Sequence, residues 1–264
     1  LDRRSRSARN PSARTARVYE VAATGSEATP PELELPVEAV TTLRAELGRT
    51  LGYLNRESGG VLLAASADLM GSTSVNLVGK DFPAGFYNAV TNPDSRLLAV
   101  GGICEDAMIG VLSGVSTFGS HIGAGSSYGA FIAALGHVSA RLHAIGAQAR
   151  RTAFGEPYPT LFLICAHAGI KTGEDGPTHA DPQCLQLLQE NFPGDTAITL
   201  TPWDPNEIWP LVAAALGRRP AVIAPFVTRP NERILDRAAL GLAPARSAAQ
   251  GVYRLRAARQ RSDG

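Results

Sequence analysis

The sequence predicts an α/β fold with a mostly parallel central sheet and helices on both faces. Three observations support this prediction. Extended apolar runs alternate with helical periodicities along most of the 264 residues. The extended runs, such as residues 161–164, are short and continuously apolar, which is typical of strands covered on both faces. Each run is separated from the next by enough residues for a crossover helix.

The individual elements follow from these patterns. Leucines at 43, 47, 51 and 54 recur at helical spacing and predict a helix that ends before Gly59 and Gly60. The predicted strands are 61–64, 97–100, 121–124, 160–166, 197–201 and 221–227. The predicted later helices are 105–118, 128–145, 184–191 and 206–216. Residues 69–96, which carry several glycines and prolines, are predicted as a long functional or covering loop.

Charge and composition argue against several classes of protein. Lys and Arg total 25 and Asp and Glu total 24, so the formal charge of +1 argues against a general nucleic-acid binder. No apolar run is long enough to span a bilayer, and the N-terminus lacks the apolar stretch of a secretory signal. We therefore expect a cytoplasmic protein with neither nucleic acid nor membrane as its partner. Cys104, Cys165 and Cys184 form neither a CxxC pair nor a zinc spacing, and we expect core or near-core thiols.

Three regions are predicted along the chain. Residues 1–35 are rich in Arg, Ser, Ala and Pro, with six arginines and one acid in the first 18, and predict a flexible linker. Residues 36–232 predict one α/β domain. Residues 233–264 predict a linker into a further C-terminal domain. Since the chain starts at Leu1, we expect a fragment of a longer protein.

The segment after the predicted strand 160–166 is the first candidate for chemistry. Residues 167–179 bring together two histidines, two carboxylates and three glycines. In parallel sheets, ligands bind at the carboxyl ends of strands, and imidazoles and carboxylates can exchange protons with hydroxyls and carbonyls. A solvated loop is the alternative, and it does not require paired His and acid groups.

Residues 173–179 read GEDGPTH and resemble the GEDGPTH signature of transketolase. Residues 65–69, 102–108 and 227–231 resemble that family's GGSADL, GIREHAM and LSRQN segments, in family order. The resemblance runs from about residue 44 to 253, and it implies that residues 36–232 are the pyrimidine-binding domain of a thiamine-diphosphate enzyme. Deoxyxylulose-phosphate synthase is similar here but typically has Ala in place of Glu174, which favours transketolase.

The resemblance implies a cofactor site. Glu105 matches the glutamate that hydrogen-bonds N1′ of the aminopyrimidine and favours the imino tautomer, although complementing a helix dipole is an alternative. Tyr128 and Phe131 match aromatics that wall the pyrimidine ring, with core packing as the alternative for Phe131. Ala134 stands where a third aromatic is usual. Asp68 matches an acid at the cofactor edge.

The resemblance also implies substrate contacts. His167 and His179 match histidines that contact sugar oxygens and shuttle protons, and Asp175 matches an acid that recognises a substrate hydroxyl. The expected ligands of the sugar phosphate are Arg229, Ser72 and Arg44, with a solvated helix arginine as the alternative for Arg44. Two departures accompany these matches. Ala168 replaces a usual Asp, and residues 70–71 differ from the family.

Together these matches imply transfer of a two-carbon ketol unit from a ketose phosphate to an aldose phosphate. The family's metal motif, GDG followed by Asn, does not occur in this sequence. We therefore expect thiamine diphosphate with Mg²⁺ or Ca²⁺ on a separate diphosphate-binding domain, in the same longer chain or in another subunit. A homodimer of the complete enzyme is expected, and no activity from this segment alone. The alternatives are another thiamine-diphosphate enzyme, such as an oxo-acid dehydrogenase component or the synthase above, or a non-catalytic pairing module.

Overall fold

The structure is a computed structural model that describes residues 13–25, 28–67, 70–156, 158–168, 183–189 and 191–257. Three of the predicted site residues, Asp68, Asp175 and His179, lie outside the described residues, as does the GEDGPTH segment. Within the described ranges, no helix is long and apolar enough to cross a membrane.

A five-stranded parallel sheet forms the centre of the domain and confirms the predicted fold class. Its strands are Leu62–Ser66 (β2), Ile122–Tyr128 (β3), Leu161–Ala166 (β4), Ala197–Leu200 (β5) and Val222–Val227 (β6). Their order across the sheet is β2-β3-β4-β6-β5. A small antiparallel pair, Val40–Thr41 (β1) with Glu232–Arg233 (β7), lies apart from this sheet.

Helices cover both faces of the sheet and give it two apolar cores. One core contains side chains of helices Ala13–Thr24 (α1), Leu43–Glu57 (α2) and Ile208–Gly217 (α8). The other contains side chains of Glu105–Phe118 (α4), His137–Phe154 (α6) and Gln183–Leu188 (α7). Two short helices, Met70–Thr73 (α3) and Gly129–Phe131 (α5), follow the carboxyl ends of β2 and β3. A π-helical segment, Ile132–Gly136, joins α5 to α6.

The flexible linker predicted for residues 1–35 is incorrect for the part that the structure describes. Residues 13–24 form α1, in which Val18 and Ala22 are completely buried. The indole nitrogen of Trp209 donates to the carbonyl of Gly25 at 2.8 Å. The composition is poor in large apolar residues, but the few present recur at helical spacing and pack against α8.

The linker predicted from residue 233 also differs from the structure over residues 233–257. Ile234 is buried in the domain, and the Arg237 guanidinium bonds to Asp204 and Glu207. Tyr253 donates its hydroxyl to Glu207. A buried cation with two carboxylates holds this segment against the α/β domain.

Three element predictions need correction. Residues 97–100 form no regular strand, and Leu97 makes a single parallel bridge to Ala64 at the sheet edge. The strand predicted at 121–124 extends to Tyr128, and the helix predicted at 128–145 is interrupted by the π segment and continues to Phe154. Among the cysteines, Cys165 and Cys184 are buried as predicted, whereas Cys104 is exposed.

Candidate functional site

The carboxyl edge of the sheet brings together residues from the ends of three strands, β3, β4 and β6. Tyr128 ends β3 opposite Ala166 of β4, and Ala166 is in turn opposite Val227 of β6. His167 follows β4 directly, and Arg229 comes two residues after β6. The backbone N–H of Ala168 bonds to the carbonyl of Val227 at 3.1 Å, which ties the two strand ends together. This is the edge at which parallel sheets bind ligands.

Three of the residues expected at the sugar phosphate or sugar are in direct contact. Arg44, from the first turn of α2, places Nη1 2.9 Å from Nε2 of His167 and also donates to the carbonyl of Ser72 in α3. Nε2 of His167 lies 3.0 Å from the same carbonyl. Because a guanidinium can only donate, Nε2 of His167 is the acceptor in its contact with Arg44. Nε2 and the Ser72 carbonyl are then two neighbouring acceptors, and Arg44 donates to both. The helix arginine is therefore turned to the sheet edge and not to bulk solvent.

His167 is held in an unusual backbone conformation. Its φ of 54° lies in the left-handed region, which few non-glycine residues adopt, and its side chain is completely buried. Such conformations persist where surrounding contacts fix them, and they concentrate at functional sites. The hydrogen bond that Nε2 accepts from Arg44 is a contact of this kind.

Three aromatic rings are stacked beside this cluster. The ring of Tyr128 lies 4.1 Å from that of His167, with 18° between their planes. The ring of Phe131 lies 5.5 Å from that of Tyr128, with 27° between their planes. Phe131 is 43% exposed, so it is not a core residue and it presents apolar ring surface at the site. Ala134 in the following π turn is exposed and adds no ring.

Glu105 is the first residue of α4 and is half-buried. Its Oε1 accepts a hydrogen bond of 2.8 Å from the hydroxyl of Ser127, the residue before Tyr128. The π segment also packs against Glu105, since a Cβ on Gly136 would lie 2.8 Å from the Cβ of Glu105. π-Helical turns inside helices are frequent at functional sites. Ser127 therefore holds one oxygen of this carboxylate, and Gly136 leaves the room that the Cβ of Glu105 needs.

The residues of this edge fit an aminopyrimidine ring. A carboxylate held by one hydroxyl keeps further acceptor positions for a ring nitrogen, and the Tyr128–Phe131 stack supplies an apolar wall. Two hydroxyls at the same edge, those of Ser126 and Thr228, are buried without a hydrogen-bond partner among the described residues. No group of three or more metal-ligating side chains occurs in the described ranges, so nothing there marks a metal centre.

Helices α4 and α6 each carry exposed apolar side chains. Val111 and Phe118 on α4 are 57% and 72% exposed, and Leu142 and Ile145 on α6 are 63% and 54% exposed. We call these four residues the α4–α6 face. Exposed apolar side chains grouped on packed helices are typical of surfaces that contact another domain or subunit.

Sequence reasoning missed Ser127 and Gly136. Neither residue type signals chemistry, because serine and glycine are common in strands and helices for other reasons. Their positions relative to Glu105 depend on the packing of α4 against β3 and the π segment, which no local pattern encodes.

The comparisons with known proteins agree with one another. The family model described as transketolase, pyrimidine binding domain, matches residues 40–232. A curated protein of Methanocaldococcus jannaschii, assigned by inference as a transketolase C-terminal section, is 32% identical over 147 residues, which cover 56% of this chain and 39% of that protein. The chain therefore spans well under half of this relative.

Solved structures share the fold. A transketolase of Pichia stipitis in complex with xylulose 5-phosphate matches with a TM-score of 0.67 and 22% identity, over 92% of this chain and 33% of that one. A transketolase of Leishmania mexicana matches with a TM-score of 0.61 and 23% identity, over 82% of this chain and 30% of that one.

Proposed function

The chain belongs to the transketolase family through its pyrimidine-binding domain, and from this premise we propose that it supplies half of a thiamine-diphosphate site. The complete enzyme would transfer a two-carbon ketol unit from a ketose phosphate to an aldose phosphate. The observation that carries the proposal is the Glu105 carboxylate, held by Ser127 beside the Tyr128–Phe131 stack. An aminopyrimidine ring requires both features, because the carboxylate can bond to a ring nitrogen and the aromatic side chains can pack against the ring.

Each of these residues has a distinct role in the proposal. When bound, the cofactor supplies the nucleophilic carbon and the electron sink. Glu105 holds a proton between its free carboxylate oxygen and the ring nitrogen, and a half-buried position strengthens that hydrogen bond. Tyr128 and Phe131 orient the ring and exclude water from one of its faces.

The sugar phosphate is assigned to the cluster at the ends of β2, β4 and β6. Arg44 and Arg229 would provide fixed cations, and Ser72 a hydroxyl, for the phosphate oxygens. Binding would draw Arg44 away from the Ser72 carbonyl that it contacts in this structure. His167 would orient the sugar, and His179 and Asp175 would make the remaining substrate contacts. Asp68 would contact the edge of the cofactor.

The α4–α6 face supports the need for a partner. We assign it to a diphosphate-binding domain that carries Mg²⁺ or Ca²⁺, in the same longer protein or in a separate subunit. A homodimer of the complete enzyme would then hold two sites, each shared between domains. Glu105 stands at the first turn of α4, so this contact would close the cofactor site around it.

The decisive experiment compares two neighbouring carboxylates in the complete enzyme, meaning this chain together with its diphosphate-binding domain. Glu105→Gln keeps the size of the side chain but removes the carboxylate, and ketol transfer should be lost while circular dichroism is unchanged. Asp106→Asn is the matched control, because Asp106 is the next residue of the same turn and is exposed. Near-normal turnover of Glu105→Gln would remove the catalytic assignment and favour a non-catalytic pairing module.

A second experiment tests the phosphate assignment. Arg229→Ala should raise KM for phosphorylated sugars more than for unphosphorylated sugars, because only the former lose an ionic contact. Arg233→Ala is the control, since Arg233 pairs with Glu38 on the surface. Equal effects of Arg229→Ala on both sugar types would exclude Arg229 from phosphate recognition.

A further inference from the structure

Two cysteines meet beneath the carboxyl edge of the sheet. Cys165 lies in β4 and Cys184 in α7, and their sulfur atoms are 3.6 Å apart. Both side chains are completely buried and both are free thiols. The role proposed above uses neither of them. The third cysteine, Cys104, is exposed and its thiol contacts Asp106 instead.

The pair lies close to the candidate site. Cys165 precedes His167 by two residues. Cys165 also packs against Gly129, the residue after Tyr128, since a Cβ on Gly129 would lie 4.0 Å from the Cβ of Cys165. Along the chain, the residues between the two cysteines include the complete GEDGPTH motif. A covalent bond between the sulfurs would therefore join the two described elements that flank this motif.

The distance suits bond formation. A disulfide has an S–S length of about 2.05 Å, so the sulfurs would need to approach by about 1.5 Å. Rotation about the Cα–Cβ bonds and a small shift of α7 can supply that movement. Helix α7 has only six residues, of which Cys184 and Leu188 are buried, so its local opening breaks few contacts.

We propose that Cys165 and Cys184 are an oxidisable pair that forms an intramolecular disulfide and fixes α7 to β4 beneath the site. The oxidant is a low-molecular-weight disulfide. One thiolate attacks it and releases one reagent thiol, and the second cysteine then attacks the mixed disulfide and releases the other. Two cysteine thiols and one reagent disulfide thus become one protein disulfide and two reagent thiols.

Burial sets the rate of this reaction. Desolvation raises the pKa of the Cys165 thiol well above its ordinary value, and the contact with Cys184 acts in the same direction. Since the thiolate is the nucleophile, the closed protein should react slowly. Reaction should accelerate under conditions that open α7 without unfolding the sheet, and Cys104 should react first.

The test uses the chain as it stands, with Cys104→Ser as the background so that no exposed thiol forms intermolecular links. The protein is incubated with oxidised glutathione in buffer and in urea below the unfolding transition, then alkylated and digested without reductant. We expect a peptide pair linked through Cys165 and Cys184, lighter by two hydrogens than its reduced parts and released by dithiothreitol. Cys104→Ser/Cys184→Ser is the matched control and should give no such link.

A second measurement follows the structural consequence. Amide hydrogen exchange in residues 183–189 should be slower in the oxidised protein than in the reduced protein, because α7 can no longer open freely. Stable glutathionylation of both cysteines without a cross-link would overturn the proposal. So would two unmodified thiols in urea under conditions in which Cys104 of the wild-type chain is fully modified. Neither result depends on thiamine diphosphate or on ketol transfer.

Discussion

A buried histidine at the interface of α4 and α6 predicts a loss of stability in acid. Nε2 of His143 donates to the carbonyl of Pro159 at 3.2 Å, and Nδ1 accepts from the hydroxyl of Ser113 at 3.1 Å. Burial lowers the pKa of His143 from 6.5 to about 4, and the Pro159 hydrogen bond opposes this only partly. The neutral imidazole is therefore the form that the folded protein accepts.

The direction and size of the effect follow from linkage. The unfolded chain binds the proton near pH 6.5 and the folded chain only near pH 4, so the unfolded state holds more protons between these values and stability rises with pH. On acidification from pH 7.5 to below 4, His143 should cost about 3 kcal/mol of the free energy of unfolding. Above pH 7, His143 should contribute little to the pH dependence of the free energy of unfolding.

The assay is urea unfolding of the wild type and of His143→Gln across this range. Gln can bond to the same carbonyl and hydroxyl but does not titrate, so the wild type should lose about 3 kcal/mol relative to the variant between pH 7.5 and pH 4. His121, whose pKa is also lowered by burial and by nearby arginines, is present in both proteins and cancels in the difference. Parallel pH profiles for the two proteins would refute the argument.

Three further predictions concern packing and are tested by urea unfolding. Gly136→Ala should destabilise the protein by about 1–3 kcal/mol, because the new Cβ would lie 2.8 Å from that of Glu105. Gly114→Ala, inside α4 and with open space around it, should be neutral or stabilise by up to about 1 kcal/mol. Equal losses of stability in the two variants would contradict the crowding at Glu105. Arg237→Ala should lower the free energy of unfolding by about 3–5 kcal/mol, because Asp204 and Glu207 are then buried without their cation. Arg233→Ala, which breaks an exposed ion pair, should lower it by under about 1 kcal/mol. Trp209→Phe should lower the free energy of unfolding by about 1 kcal/mol, because the indole hydrogen bonds to the carbonyls of Gly25 and Ala28 are lost. An unchanged urea midpoint of unfolding would show that α1 is held by apolar contacts alone.

Helix α4 shows what the sequence could predict. Its observed bounds, Glu105–Phe118, are the predicted ones. The helical spacing of apolar residues indicates its extent, and Gly119, which has a left-handed backbone conformation, ends it. The parallel sheet follows in the same way from its continuous apolar runs. The resemblance to transketolases predicts that Arg44, Ser72 and His167 bind one sugar phosphate. In the structure the three residues are in contact, and their role in binding stays a prediction.

Strand β3 shows why other features escaped prediction. Between Ile122 and Tyr128 it contains only glycine, alanine and serine, and Gly123 and Gly125 lie where α4 packs closely on the sheet. A Cβ at position 123 would clash with the Leu112 carbonyl of α4, and one at position 125 with the Ile109 side chain. The strand is therefore buried although few of its residues are large and apolar. The same close packing brings Ser127 to Glu105, and such a contact depends on tertiary geometry and not on spacing along the chain.

The most direct test of the account measures the proton that Glu105 is proposed to control. In the complete enzyme, exchange of the thiazolium C2 proton of thiamine diphosphate with deuterium can be followed by proton NMR after rapid quenching. Glu105→Gln should slow this exchange by orders of magnitude while the cofactor remains bound, and Asp106→Asn should leave it unchanged. An exchange rate in Glu105→Gln equal to that of the wild type would contradict the central claim that this chain activates the cofactor through Glu105.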